Sequence, residues 1–231
     1  MTRAVLFDVD FTLIYPGPTF QASGYQAFAA RHGVGVDPGR FDVAVQSASH
    51  LLDLPDDTPY DDEIHVRYTR HILEQMGGGG DVLDMVARDI YREWAACHHF
   101  ELYDDVPDAL RALASAGVRI GLVSNSHRCL ASFQTHFELA GLITATVSSS
   151  EHGMMKPHPS IFTAALALLD VAPAEALMVG DSVKHDIEGA LQTGMRAALL
   201  HRTGVHPREP ELADRGVPTL RSLTELVALV C

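Results

Sequence analysis

From residue 104 onward the chain alternates between two kinds of segment, and this alternation limits its fold more than any other feature. Helical stretches at 106–117, 128–139, 157–170 and 183–194 are separated by short apolar runs at 118–124, 144–149, 176–180 and 196–200. Buried apolar runs between helices of period 3.6 predict βαβ units and a parallel sheet. The N-terminal run at 4–9, AVLFDV, has the same composition and belongs to that sheet.

Residues 16–103 follow another pattern. Helical periodicity covers 19–32, 38–52, 60–76 and 81–97, broken by Gly, Pro and acidic turns. The expected architecture is an α/β core from 1–15 and 104–231, with a helical module of 16–103 inserted after the first strand. The tract Gly77–Gly80 is a flexible break, because no strand precedes it and no GK[ST] follows. The acidic tract at 53–63, DLPDDTPYDDE, lacks the ladder and central glycine of an EF-hand and is expected to be a solvated loop. The pair His98-His99, beside Cys97, lacks two further ligands in sequence and is expected to be helix-end residues.

A net charge of −13 argues against nucleic acid or an anionic membrane as the main partner. No stretch approaches the ~20 apolar residues of a membrane span, and none has the form of a signal peptide. The cysteines are Cys97, Cys129 and Cys231, with no CxxC pair, so reduced thiols and a cytoplasmic location are expected. Basic residues are lopsided, with fifteen Arg and only Lys156 and Lys184.

The opening strand raises an energetic question. It delivers Asp8 and Asp10 from an apolar run, and burying two carboxylates without compensation costs several kcal/mol each. Doubly wound sheets bind ligands at the carboxyl ends of their strands. The other strand ends here carry Ser124-Asn125, Lys156 and Asp181, with Asp186 following. Four strand ends thus bring polar groups to one rim.

These pieces, DVDFT at 8–12, Ser124, Lys156 and GDSVKHD at 180–186, resemble the haloacid dehalogenase-like superfamily in order and identity. The stretch 149–162, SSEHGMMKPHPSIF, is similar to a further family pattern. The resemblance implies a Rossmann-like parallel core with an inserted all-helical cap of the C1 type. It also implies a phosphatase. Asp8 would be the nucleophile, forming an aspartyl-phosphate, and Asp10 would protonate the leaving group and then deprotonate water. Lys156 would screen charge, while Thr12, Ser124 and Asn125 hold phosphoryl oxygens. Asp8, Asp10, Asp181 and Asp186 would serve a Mg²⁺ site, Asp10 through its backbone carbonyl and Asp186 as a supporting group.

The chemistry suits the residue types. Splitting hydrolysis into two displacements lowers a very high barrier. An i, i+2 spacing on extended chain points both carboxylates to one side, where mutual repulsion is expected to raise one pKa. An anionic nucleophile meeting a phosphate dianion needs positive charge between them, and all-oxygen ligands suit Mg²⁺. Two positions depart from the pattern: Phe11 stands where the family has Gly, and His158 replaces an acid. Asp10 and Asp181 favour phosphate over the 2-haloacid dehalogenase branch. Residues 16–103 contain no lysine, which closes the phosphonatase branch. A phosphosugar mutase and a non-catalytic binding protein are the remaining alternatives, the latter disfavoured because Asp8, Asp10 and Lys156 are all present. The expected partner is a small phosphorylated metabolite, met by a monomer or homodimer, with Arg31, Arg67, Tyr68 and Arg70 as candidate leaving-group contacts.

Overall fold

The computed structural model describes residues 2–231. Its larger unit, which includes residues 2–15, 56–59 and 102–231, is built on a six-stranded sheet. Those strands are β1 (Ala4–Phe7), β4 (Arg119–Ser124), β5 (Ala145–Ser148), β6 (Ala176–Gly180), β7 (Arg196–Leu200) and β8 (Thr219–Leu220). Two further strands, β2 (Ile14–Pro16) and β3 (Phe100–Leu102), form a separate ribbon. The sheet order is β5-β4-β1-β6-β7-β8, and every pairing is parallel.

This order places β1 at the centre. The chain runs outward to β5 on one side, then returns to β6 and runs outward on the other. The reversal occurs across β1, which makes its carboxyl end the topological switch point. In register, Phe7 lies opposite Leu122 and Val179, so β1, β4 and β6 end within two residues of one another.

Parallel strands require long crossovers, and helices supply them. These include α5 (Val106–Ser115), α6 (Leu130–His136), α7 (Ser149–His152), α8 (Pro159–Leu169) and α9 (Gly189–Gln192). Near the C-terminus lie α10 (Glu209–Asp214) and α11 (Leu223–Val230). One face of the sheet buries Ala4, Leu6, Val123 and Met178 against Ile161, Phe162, Ala165, Leu166 and Leu169 of α8. Side chains alternate along a strand, so Val5 and Phe7 turn to the opposite face; both are fully buried. Gly121 admits α8 closely, since a Cβ there would stand 3.0 Å from Leu169.

The smaller unit, Pro16–Pro55 and Tyr60–Glu101, is helical. It contains α1 (Ala22–Arg31), α2 (Phe41–Ala48), α3 (Asp62–Gln75) and α4 (Val82–Trp94). The apolar stripe of α4 buries Leu83, Val86, Ala87 and Ile90, the spacing of an amphipathic helix. Phe20, Trp94 and Phe100 form an aromatic cluster, with ring centroids 4.6 to 5.2 Å apart.

In the larger unit two helices fall well short of what their periodicity predicts. The stretch 128–139 is helical only over Leu130–His136, because Arg128 leaves the helix to meet Asp10. The stretch 183–194 begins as a wide turn, Val183–Glu188, before α9. That turn lets the Asp186 side chain fold back on the loop before it. Among the described residues no helix is long and apolar enough to cross a membrane.

Candidate active site

The loop after β1 is a tight one. Asp8 continues the sheet by donating its amide to Val179 O at 2.9 Å, and Leu13 and Ile14 then both donate back to Val9 O. Phe11 donates to Ile14 O at 2.7 Å and sits at φ 63°. That is the left-handed region, which costs a residue with a Cβ about 1–2 kcal/mol. The turn normally made by glycine is therefore made here by a bulky residue under strain, which is 46% exposed.

This loop aims Asp8 and Asp10 at different partners. Lys156 Nζ lies 2.7 Å from Asp8 Oδ1 and 2.6 Å from Asp186 Oδ1, and all three groups are buried. Asp10 Oδ1 instead accepts from Arg128 Nη1 at 2.9 Å, and the Arg128 side chain is fully buried. Arg128 escaped the sequence reading because it falls inside a helical pattern, and no motif marks it. Arg202 was missed as well. It donates to Thr12 O and Asp105 Oδ2, both at 3.0 Å, and its guanidinium lies over the Tyr103 ring, bracing the loop after β1.

The second acidic element comes from the end of β6. Asp186 accepts from the Ser182 amide at 3.0 Å through the oxygen not used by Lys156. Its carboxylate comes so near Gly180 that a Cβ there would lie 2.2 Å from Asp186 Oδ2. Asp8, Asp181 and Asp186 each offer one oxygen, all within 4.8 Å of one another. Three carboxylates faced by one ammonium leave the cluster negatively charged. A compact, all-oxygen, electron-rich set of this kind fits a hard divalent cation.

Burial raises the Asp8 pKa; Lys156 opposes the rise and Asp186 adds to it. The repulsion expected between Asp8 and Asp10 is not its source, because Asp10 is turned toward Arg128. Desolvation, then repulsion from Asp8 and Asp186, pushes Asp181 well above the usual carboxylate range. Asp181 nonetheless keeps an exposed face, so the like-charge repulsion is the firmer of the two causes. Lys156 is raised in turn: burial disfavours its charge, but Asp186 and Asp8 more than offset that.

The remaining predicted residues line the same strand ends. Ser124, at the end of β4, is buried and donates its hydroxyl to Ser126 Oγ at 3.0 Å. The Asn125 side chain is bonded to the Lys156 backbone in both directions, accepting from its amide at 2.7 Å and donating to its carbonyl at 2.9 Å. Asn125 thereby fixes the segment that carries the lysine. Thr12 is fully buried and its hydroxyl makes no hydrogen bond of good geometry, although it stands near enough to Asp8 to favour the carboxylate form. His158 accepts from the Ser160 amide through Nδ1 at 3.2 Å, capping α8 in place of a carboxylate.

Sequence comparison places this arrangement in a known family. The model of the haloacid dehalogenase-like hydrolases matches residues 2–194. A ribulose-1,5-bisphosphate 5-phosphatase from Halopiger xanaduensis is 30% identical, covering 99% of this chain and all of its own. A haloacid dehalogenase-like hydrolase domain-containing protein 3 from Xenopus laevis is 26% identical, covering 94% of this chain and 89% of its own. Among solved structures, a putative β-phosphoglucomutase from Thermotoga maritima shares the fold with a TM-score of 0.72 at 18% identity, covering 100% of this chain and 98% of its own. The family match spans the segments that carry Asp8, Lys156 and Asp181, and the chain belongs to the haloacid dehalogenase-like hydrolases.

Proposed function

We propose that this hydrolase cleaves small phosphomonoesters in a Mg²⁺-dependent reaction, through a phosphoryl group carried transiently on Asp8. The observation that carries this reading is the convergence of Asp8, Lys156, Asp181 and Asp186 at the sheet's switch point. Similarity to the phosphatase from Halopiger xanaduensis over nearly the whole chain supports the same chemistry.

In this reading Asp8 Oδ2, the oxygen not held by Lys156, attacks phosphorus. Lys156 keeps Asp8 oriented and screens the approach of two anions. Asp10, oriented by Arg128, delivers a proton to the departing alkoxide and then accepts one from the water that releases phosphate. The hydroxyls of Thr12 and Ser124 and the Asn125 backbone hold phosphoryl oxygens. Asp8, Asp181 and the Asp10 carbonyl would hold the cation, with Asp186 supporting them. When bound, the cation neutralises charge that builds between nucleophile and phosphate. The helical unit is assigned the role of a C1-type cap that sets substrate preference. Arg70 is committed within that unit to Glu74 and Asp84, and Arg31 lies over the Phe28 ring. Arg67, which is exposed, is the better candidate for an anionic leaving group.

A panel of phosphomonoesters assayed with Mg²⁺ or EDTA, using wild type and Asp8→Asn, tests the proposal. Hydrolysis is expected to vanish in EDTA and to fall at least ~10³-fold in Asp8→Asn. Turnover that survives either change would refute it.

A further inference from the structure

The helical unit holds a second set of metal-ligating side chains, unrelated to the acidic cluster. Glu93 lies near the end of α4, and His98 and His99 follow in the short turn Cys97–His99. The three residues each offer one ligand atom, all within 4.8 Å of one another. His99 Nε2 is 3.0 Å from Glu93 Oε2, and the two imidazole centroids are 4.0 Å apart.

We infer that Glu93, His98 and His99 form a binding site for a borderline transition cation of the Zn²⁺ class. Two independent features favour a metal over a simple His99–Glu93 ion pair. A pair needs one imidazole, whereas here a second imidazole stands against the first. The other nitrogen of His99, Nδ1, is paired with Thr19 Oγ1 at 3.1 Å. A ligating histidine is typically oriented in this way, with its second nitrogen tied to an oxygen that fixes the tautomer and turns the first toward the metal.

The spacing agrees with this assignment. Metal–ligand distances of about 2.0–2.1 Å in tetrahedral geometry set ligand atoms about 3.3 Å apart, so only small side-chain movements are needed. Glu93 and His99 are partly buried and His98 is exposed, which leaves the fourth position to water. Two imidazoles and a carboxylate suit Zn²⁺, Co²⁺ or Ni²⁺, whereas Mg²⁺ belongs with oxygen donors.

The location suggests a structural role. The Gly17 amide donates to His99 O at 2.8 Å, and Thr19 holds the His99 ring. A cation here would join the end of α4 to the segments by which the chain enters and leaves the helical unit. Because the unfolded chain lacks the site, binding raises Tm by mass action.

The test uses the untagged full-length chain, stripped with EDTA, desalted and titrated with Co²⁺ and Zn²⁺ in excess Mg²⁺. One equivalent of Co²⁺ is expected to bind with a visible absorption band. Its affinity is expected to fall at least ~10-fold in His98→Ala and in Glu93→Gln. Zn²⁺ is expected to raise Tm in wild type and in Asp181→Asn alike, but not in His98→Ala, whose exposed position leaves the metal-free Tm unchanged. Binding that is equal in wild type and both variants, that disappears in Asp181→Asn, or that never occurs in wild type would overturn the assignment.

Discussion

Asp181 carries the electrostatic tension of the acidic cluster. Its pKa is raised in the folded protein, so folding is favoured while the group is protonated, and that contribution is lost as pH rises from the ordinary aspartate value of 3.8 through the higher folded value. Asp8 is shifted in the same direction, so the ionised Asp8 and Asp181 each cost stability near neutral pH when no cation is bound, against the stabilising pairing of Lys156 with Asp8 and Asp186. Asp181→Asn is expected to raise Tm in EDTA at neutral pH, and to leave it unchanged or lower below pH ~4. The same variant is expected to lose the Tm increase that Mg²⁺ gives wild type. Thermal melts at several pH values, with and without Mg²⁺, check both outcomes. A Tm lowered at neutral pH in EDTA would show that Asp181 is not under like-charge repulsion.

Among the elements, the turn joining β6 to α9 is tightly constrained. Gly180 ends β6 because Asp186 packs against its Cα, and Asp186 can do so because Val183–Glu188 is wound wide. A methyl group at 180 would displace the carboxylate that holds both Lys156 and the Ser182 amide. Gly180→Ala is expected to destabilise the fold by about 1–3 kcal/mol, the usual cost of overpacking. Activity is expected to fall more than stability accounts for, because Lys156 loses a partner. Urea unfolding compared with kcat at a temperature where the variant is folded separates the two effects. The loop after β1 shows the reverse case: there Phe11 accepts a left-handed conformation, and the surrounding hydrogen bonds to Val9 and Ile14 enforce it.

At the scale of the whole molecule, the chain has two compact units and a single tryptophan. Trp94 lies in the aromatic cluster of the helical unit, with Phe20 and Phe100. Its fluorescence therefore reports that unit, while circular dichroism reports both. The helical unit is the smaller, and because smaller units bury a lesser share of their surface it is expected to be the less stable part. Fluorescence is expected to change at lower urea than circular dichroism, with a smaller m-value. Coincident transitions would instead mean that the two units unfold as one.

Much of the fold could be read from the chain because it rests on local pattern. The apolar runs at 176–180 and 196–200 became strands over those same residues, since a strand buried on both faces leaves a continuous apolar signature. The short strands β2, β3 and β8 and the small helices α7 and α10 left no such trace, because a few residues carry no detectable period. The closing helix α11 has an apolar face, Leu223 and Leu226, and lies in a stretch to which no helix was assigned. At the rim, the identity and order of Asp8, Ser124, Lys156 and Asp181 were visible as motifs. Arg128 beside Asp10, the two-way bonding of Asn125 to Lys156, and the meeting of Glu93 with His98 and His99 were not. Sequence alone determined which backbone segments become strands and which polar residues reach the strand ends, because periodicity and spacing along one chain encode both; the order in which the strands pair came from the tertiary structure. Tertiary structure decided which charge faces which, because a side chain's partner depends on where distant segments come to rest.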